Sequence, residues 1–481
     1  MSAILTVRRL AAIVLFAYAS AASAQLPPPV SKMLADAKIP EDAMAALVIR
    51  LPDAKTVLAH RETVPMRPAS TMKLVTTMVG LEHLGPVFRG RTELRTNAPL
   101  TGDILRDHVS LRGGADADFN WEALEKMLQT MRNQGIRHIE GDLIVDRNLF
   151  FPARPELGVP PFDETPEFAY NVIPDALLLN QNLQAIEIES TDTGIKVRAT
   201  PQLEGVTVDT DMSLIDGPCP DWEDGWKLPT VSNTGAQVRI TLHGTYPRNC
   251  ARATAINMLD RTLYAHRLVR ALWTKLGGTW NGGVREGDTP PNTRILAEHQ
   301  SRPLADVLRD INKQSDNTLA RLLYLSIGKF PPDPAVAAGT VSTARSEQVV
   351  RAWFKRNGIA DEGMVIENGS GLSRIERISP LQMAGLLKVA ANSNWAPEFA
   401  SSLPIAAVDG TMRRRLKDSP AAQRARVKTG TLRDTVAIAG YVKDAAGVPY
   451  IVAAMINSDT AKPAVARPVI DALLDWVARQ P

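Results

Sequence analysis

The chain has 481 residues, 44% of them hydrophobic and 22% charged, with a formal net charge of +3. That length predicts two or three domains at roughly 150 residues each, with an ordinary globular composition. The small charge and the absence of a Lys/Arg run exclude the clustered basic surface that nucleic-acid binding requires. The seven histidines stand singly, without an H-E-x-x-H or C-x-x-C pattern, so no metal site and no cofactor are expected.

The first 24 residues have their own grammar. Arg8 and Arg9 form a positive start, residues 10–18 are uncharged and apolar, and Ala22-Ser23-Ala24 offers a small-x-small cleavage site before Gln25. This predicts a secretory signal peptide cleaved after Ala24 and a periplasmic product, the competing reading being an uncleaved anchor. Cleavage removes two arginines and lowers the formal charge from +3 to +1. No other run approaches the ~20 apolar residues of a membrane span, so no integral membrane segment is expected after cleavage.

A Pro-rich start at residues 26–29 leads to a short helix. Residues 43–50 and 56–60 read as paired strands. Residues 66–84 contain a helix that Pro68 introduces and Gly85-Pro86 stops, with Ser70 in its first turn. From residue 87 to about 252 short strand-like runs recur (108–112, 141–145, 183–189, 237–243) between turn-rich segments, which predicts an inserted, mainly β region. Within it, Cys219 and Cys250 are the only cysteines. In an exported protein they are expected to be bridged, closing a loop of about thirty residues worth roughly 3–4 kcal/mol. The competing reading is two free, buried thiols. Helical periodicity returns at 258–276 and 303–325. Residues 436–442 and 450–455 read as strands joined by a turn at 444–447. Residues 464–479 read as an amphipathic helix with Val465, Val469, Ile470, Leu473, Leu474 and Val477 on one face.

Three short motifs stand in order: Ser70-Thr71-Met72-Lys73, Ser315-Asp316-Asn317 and Lys428-Thr429-Gly430. They match the S-x-x-K, S-D-N and K-T-G set of penicillin-binding proteins and related β-lactamases. A serine hydroxyl needs an adjacent base to become a nucleophile. Residues three apart share a helix face, so Lys73 can reach Ser70. The amine must be neutral to accept a proton, and burial and a nearby cation such as Lys428 both push its pKa down. A helix starting at the serine also turns backbone N–H groups and its positive end toward the reacting carbonyl. Ser326-Ile327-Gly328-Lys329 matches S-x-x-K too, but it follows the S-D-N motif and sits at an expected helix end, so it is read as coincidence.

The chain resembles the class C low-molecular-mass penicillin-binding proteins, the D-alanyl-D-alanine carboxypeptidase/endopeptidases. Further segments carry the likeness: Gly141-Asp142-Leu143-Ile144-Val145-Asp146, Asn180-Gln181-Asn182, Asn368-Gly369-Ser370-Gly371-Leu372-Ser373-Arg374, Asp409-Gly410-Thr411 and Lys428-Thr429-Gly430-Thr431-Leu432. The resemblance implies an α/β, transpeptidase-like domain, an antiparallel sheet flanked by helices, built from residues 25–86 and 254–481. Residues 87–253 would form the inserted part, two nested domains. It implies that Ser70 attacks the penultimate D-alanine of a peptidoglycan peptide, that Lys73 takes the proton, and that Ser315 and Asn317 relay protons and hold the peptide. Lys428 and Thr429 would bind the terminal carboxylate, with Gly430, Thr431 and Asp316 also among the substrate-binding residues. The N–H groups of Ser70 and Thr431 would form the oxyanion hole. β-Lactams would acylate Ser70. Arg321 departs from the pattern, since such proteins often carry an acidic residue there. Two competing readings remain. A β-lactamase of class A would need a deacylating glutamate, but Ala176 occupies the nearest candidate position. A non-catalytic peptidoglycan-binding protein of the same fold would be marked by loss of Ser70 or Lys73.

Overall fold

The computed structural model describes residues 25–481 apart from 236, 333–336 and 338. The expected signal sequence therefore lies outside the described residues. Among those described, no helix is long and apolar enough to cross a membrane.

The two chain ends meet in one five-stranded antiparallel sheet, ordered Ala425–Leu432, Thr435–Lys443, Pro449–Asn457, Met44–Arg50, Lys55–His60. Its central strands are apolar throughout because both faces are covered. Side chains alternate between two cores, as the strand period of two requires. Met44, Ala46, Val48, Ile438, Val452 and Ala454 turn to one core. The helices Pro28–Asp36 and Pro463–Ala478 close that core. Ala45, Leu47, Ala437, Ile451 and Ala453 turn to the other, which is filled by the helices Lys73–Leu84, Asn317–Lys329, Ser342–Arg356 and Pro380–Asn392. On the last helix of the chain the expected apolar face is buried except at Val465, which is 42% exposed in the first turn.

The middle of the chain is an excursion from this sheet. Strand Arg91–Thr96 pairs with Val109–Gly114 and with Arg294–Gln300, while Val284–Glu286 pairs with Leu143–Asp146. The boundary expected at residue 253 thus falls inside paired structure, and the pairing runs on to residue 300. In sequence the helix Arg261–Lys275 resembles a return to the helical half, yet it packs with Trp121–Asn133 on the core of the excursion. The chain leaves and returns at one place: Leu304 N donates to the Phe88 carbonyl at 2.9 Å and Ser301 N to the Gly90 carbonyl at 3.0 Å. Smaller sheets complete the excursion, one with Gln184–Ser190 between Ile195–Thr200 and Ala251–Ile256 and another around Gln237–Pro247. Cys219 and Cys250 are bonded, with Cα atoms 5.4 Å apart, as expected.

Residues 303–325 do not form one helix. Leu304–Arg309 is helical, Asp310–Gln314 is a wider turn of helix, and Ser315 adopts φ 64°, ψ 35° before Asn317–Lys329 begins. Apolar periodicity runs through the break because both helices pack on the same core. The interruption comes from Asp316, whose Oδ1 accepts the Leu319 N–H at 2.8 Å and so caps the second helix.

Candidate active site

Pro68 and Ala69 lead into a short tight turn, Ala69–Met72, and the regular helix opens only at Lys73. Ser70 therefore sits on the turn before the helix rather than in its first regular turn. Lys73 is wholly buried, and its Nζ has three oxygen neighbours. Ser70 Oγ lies at 3.0 Å, Asn317 Oδ1 at 2.6 Å and the Ser370 carbonyl at 2.6 Å. A neutral amine has two N–H groups and one lone pair. The two pure acceptors, Asn317 Oδ1 and Ser370 O, take the N–H groups, which leaves the lone pair for the hydroxyl proton of Ser70. Burial brings the Lys73 pKa down to about 7; Asp316 opposes this and the Arg321 cation adds to it. Arg321 is thus a cation beside Lys73 that the three motifs do not contain.

The loop supplying the Ser370 carbonyl, Asn368-Gly369-Ser370-Gly371, is drawn together by the buried Glu376. Its Oε1 accepts the N–H groups of Glu367, Asn368 and Gly369 at 3.1, 3.0 and 2.9 Å. Gly371 has φ +82°, and a Cβ there would lie 1.9 Å from the Ala69 carbonyl oxygen, so the loop can reach the Ser70 turn only with glycine. Ser370 and Glu376 were not among the sequence-predicted site residues. The Gly-rich run was the only signal for them.

Ser315 and Lys428 form a second pair. Lys428 Nζ donates to Ser315 Oγ at 2.9 Å and to the Thr429 carbonyl at 2.9 Å. Lys428 is wholly buried, and burial together with Lys73 holds its pKa well below the usual lysine range. Its strand, Ala425–Leu432, is an edge of the central sheet. Gly430 lets that edge close on the turn that carries Ser70, since a Cβ there would meet the Pro68 carbonyl oxygen at 2.5 Å and the Ala69 Cβ at 3.1 Å. Thr429 Oγ1 donates to Thr411 Oγ1 at 2.8 Å, tying the strand to the Asp409-Gly410-Thr411 segment.

A cleft of about 620 Å³ opens above these pairs. Ser70, Ser315, Asn317 and Thr431 line it, and from the excursion Asp163 and Tyr170. Lys73 and Lys428 lie beneath its floor. Asp316 is half-buried and does not line the cleft: its Oδ1 caps the helix and its Oδ2 accepts from Gln181 Nε2 at 3.4 Å, with desolvation raising its pKa. The second S-x-x-K match is remote from this chemistry in kind: Ser326 is 2% exposed and its hydroxyl donates to the Leu322 carbonyl within the helix.

Serine beside a buried lysine, a second serine and an asparagine at a helix break, and a Lys-Thr-Gly edge strand make the arrangement of an active-site-serine acyl-transfer enzyme. Residues 27–480 match the D-Ala-D-Ala carboxypeptidase 3 (S13) family, and the chain belongs to that family, which makes it a serine-type carboxypeptidase. It is 30% identical over 401 residues to a D-alanyl-D-alanine carboxypeptidase of an Actinomadura species, a match spanning 78% of this chain and 70% of that one. It is 26% identical over 430 residues to the carboxypeptidase DacB of Haemophilus influenzae, spanning 87% of this chain and 86% of the relative. The crystal structure of penicillin binding protein 4 from that organism superposes with a TM-score of 0.77 at 23% identity, over 94% of this chain and 99% of that one. A further structure of the Haemophilus protein holds a novel β-lactam.

Proposed function

We propose that this protein cleaves peptidoglycan peptides ending in D-Ala-D-Ala, and the related cross-links, through an acyl-enzyme on Ser70. Lys73 accepts the Ser70 proton as Oγ attacks the carbonyl carbon of the penultimate D-alanine. The oxyanion is received by the N–H groups of Ser70 and Thr431. The proton then passes through Ser315 to the departing nitrogen, and the C–N bond breaks. Asn317 holds the peptide while Lys428 and Thr429 receive the terminal carboxylate. Water, activated by the same lysine, releases the acyl group. A β-lactam would acylate Ser70 by the same first step and remain attached. The site works where the cell wall is, in the periplasm, and the middle of the chain is read as two nested domains inserted into the catalytic one.

The observation that carries this reading is the Lys73 amine, whose two N–H groups are occupied and whose remaining position faces Ser70 Oγ at 3.0 Å. A fluorescent penicillin tests it. The protein should be labelled covalently, and Ser70→Ala should remove all labelling while leaving the fold intact by circular dichroism. Labelling that persists in the variant would overturn the assignment.

A further inference from the structure

Asn317 must satisfy both ends of its amide. Its Oδ1 accepts from Lys73 at 2.6 Å, and its Nδ2 donates to the Tyr170 carbonyl at 3.0 Å. Turned end for end, the amide would set its oxygen against that carbonyl and lose both bonds. The Tyr170 carbonyl therefore selects which end of Asn317 faces the lysine. It belongs to the short turn Ala169–Asn171, which lies in the excursion and far from the motif in sequence.

The turn is gripped by the helix that carries Asn317. Thr318 Oγ1 donates to the Val172 carbonyl at 3.2 Å. Arg321 Nη1 donates to the carbonyls of Val172 and Asn171 at 3.1 and 3.3 Å. Three successive carbonyls, of Tyr170, Asn171 and Val172, are thus held by one helix. Arg321 is 7% exposed and forms no ion pair among the described residues. A guanidinium buried on carbonyl oxygens is expensive to place, and burial lowers its pKa to about 10 although the nearby Glu376 and Glu367 carboxylates oppose the shift. On its other side the turn is tied to the excursion, where Phe168 stacks on Tyr170 with centroids 6.4 Å apart and lies 5.7 Å from Trp226.

We propose that Arg321 is a positioning residue for the general base: by holding the Ala169–Asn171 turn against the Asn317 helix, it fixes the Asn317 amide and so keeps the lone pair of Lys73 aimed at Ser70. The inserted region then contributes to the chemical step itself, through a backbone carbonyl. This rests on the Ser70–Lys73 reading above.

The test is the limiting rate and apparent binding constant of acylation by a fluorescent penicillin, measured on the full-length exported protein from pH 5 to 10. Arg321→Met keeps the buried stem and removes the donors. Its limiting rate should fall about tenfold or more, the scale of one charged hydrogen bond, with the binding constant little changed. The acidic limb should move to higher pH because a cation near Lys73 is gone. Arg321→Lys, which restores a cationic donor, should recover much of the rate and return the limb. A wild-type rate and pH profile in Arg321→Met would overturn the proposal, as would a loss confined to the binding constant. Should Arg321→Met fail to fold, Thr318→Val removes one donor of the same grip without changing charge. It should slow the limiting rate several-fold, and a wild-type rate there would equally reject the idea. Labelling that survives Ser70→Ala would instead remove the nucleophile reading, and this proposal with it.

Discussion

The central sheet and the sheets of the excursion differ in how they meet water. Met44–Arg50 and Pro449–Asn457 are buried along nearly their whole length, on both faces. Gln184–Ser190 alternates strictly between buried and exposed positions, and Ile195–Thr200 between half-buried and exposed ones. A sheet packed between two helical layers has little freedom to shift, because interiors are close-packed and transmit strain. It is therefore the sheet that carries Lys428, Thr429 and Gly430 against the Ser70 turn. The one-sided sheets keep a solvent face and reach the chemistry through connecting loops, chiefly the segment from Phe162 to Val172, while Gln181 Nε2 donates to Asp316 Oδ2 at 3.4 Å. Precision at the site should thus depend on the first region directly and on the second through that segment.

The largest effect that would sharpen this contrast is expected at Lys428. Lys428→Gln removes the amine that donates to the half-buried Ser315 hydroxyl and that, in the proposed function, receives the incoming carboxylate. Losing a buried charged partner costs roughly 2–5 kcal/mol, or about thirty- to several-thousand-fold in kcat/KM. Steady-state kinetics on a D-alanyl-D-alanine peptide and on its C-terminal amide check it. If Lys428 is chiefly the carboxylate anchor, the variant discriminates poorly between the two; if it chiefly orients Ser315, discrimination survives while both rates drop. Unchanged kcat/KM on the acid would remove the third motif from the active site.

In the excursion the corresponding perturbation should strike stability and leave chemistry alone. Replacing Cys219 and Cys250 with serine opens a loop with a sequence separation of 31 residues. The chain-entropy treatment puts the loss at roughly 3–4 kcal/mol, to be read from denaturant unfolding. Penicillin acylation of the folded fraction should stay near the native rate. A collapse of acylation in a still-folded variant would break the comparison by showing that the bridge, and not only residues 162–172, supports the site.

Two glycines give a smaller and more local contrast. Gly430→Ala places a methyl group against the Pro68 carbonyl, whereas a Cβ at Gly194 would have nothing within 4 Å of it. Overpacking of this kind costs about 1–3 kcal/mol, so Gly430→Ala should lower the acylation rate by roughly tenfold or more while Gly194→Ala leaves it unchanged. Equal rates in the two variants would contradict the close approach of the edge strand to Ser70.

The gentlest probe is pH. Lys73 with a pKa near 7 is protonated below that value and has no lone pair for the Ser70 proton. Acylation should therefore rise with pH through about 7 and fall about tenfold for each unit below it. A rate that is flat from pH 5 to 8 would show that Lys73 is not the base.

Much of this protein was legible in its residues. That Ser70, Lys73 and Asn317 would cluster, and Ser315 with Lys428, could be read because the three motifs set particular side chains at short spacings, and short spacings survive in a linear text. The central strands were legible because apolar runs bounded by turn residues have few alternatives, and the Cys219–Cys250 bridge because only two cysteines were available. Other features were decided by packing. The helix break at Ser315 is invisible to periodicity, since both flanking helices face one core. The return of the excursion at residue 300 rather than 253 depends on strand Arg294–Gln300 finding Arg91–Thr96. The Ser370 carbonyl and the Tyr170 carbonyl act through the backbone, which every residue possesses and no motif marks. Arg321 looked like a local departure in sequence, and only the fold set its guanidinium on the carbonyls of Asn171 and Val172, about 150 positions away along the chain. Side-chain chemistry is written in the sequence. Which backbone oxygens it meets is settled when distant segments are packed together.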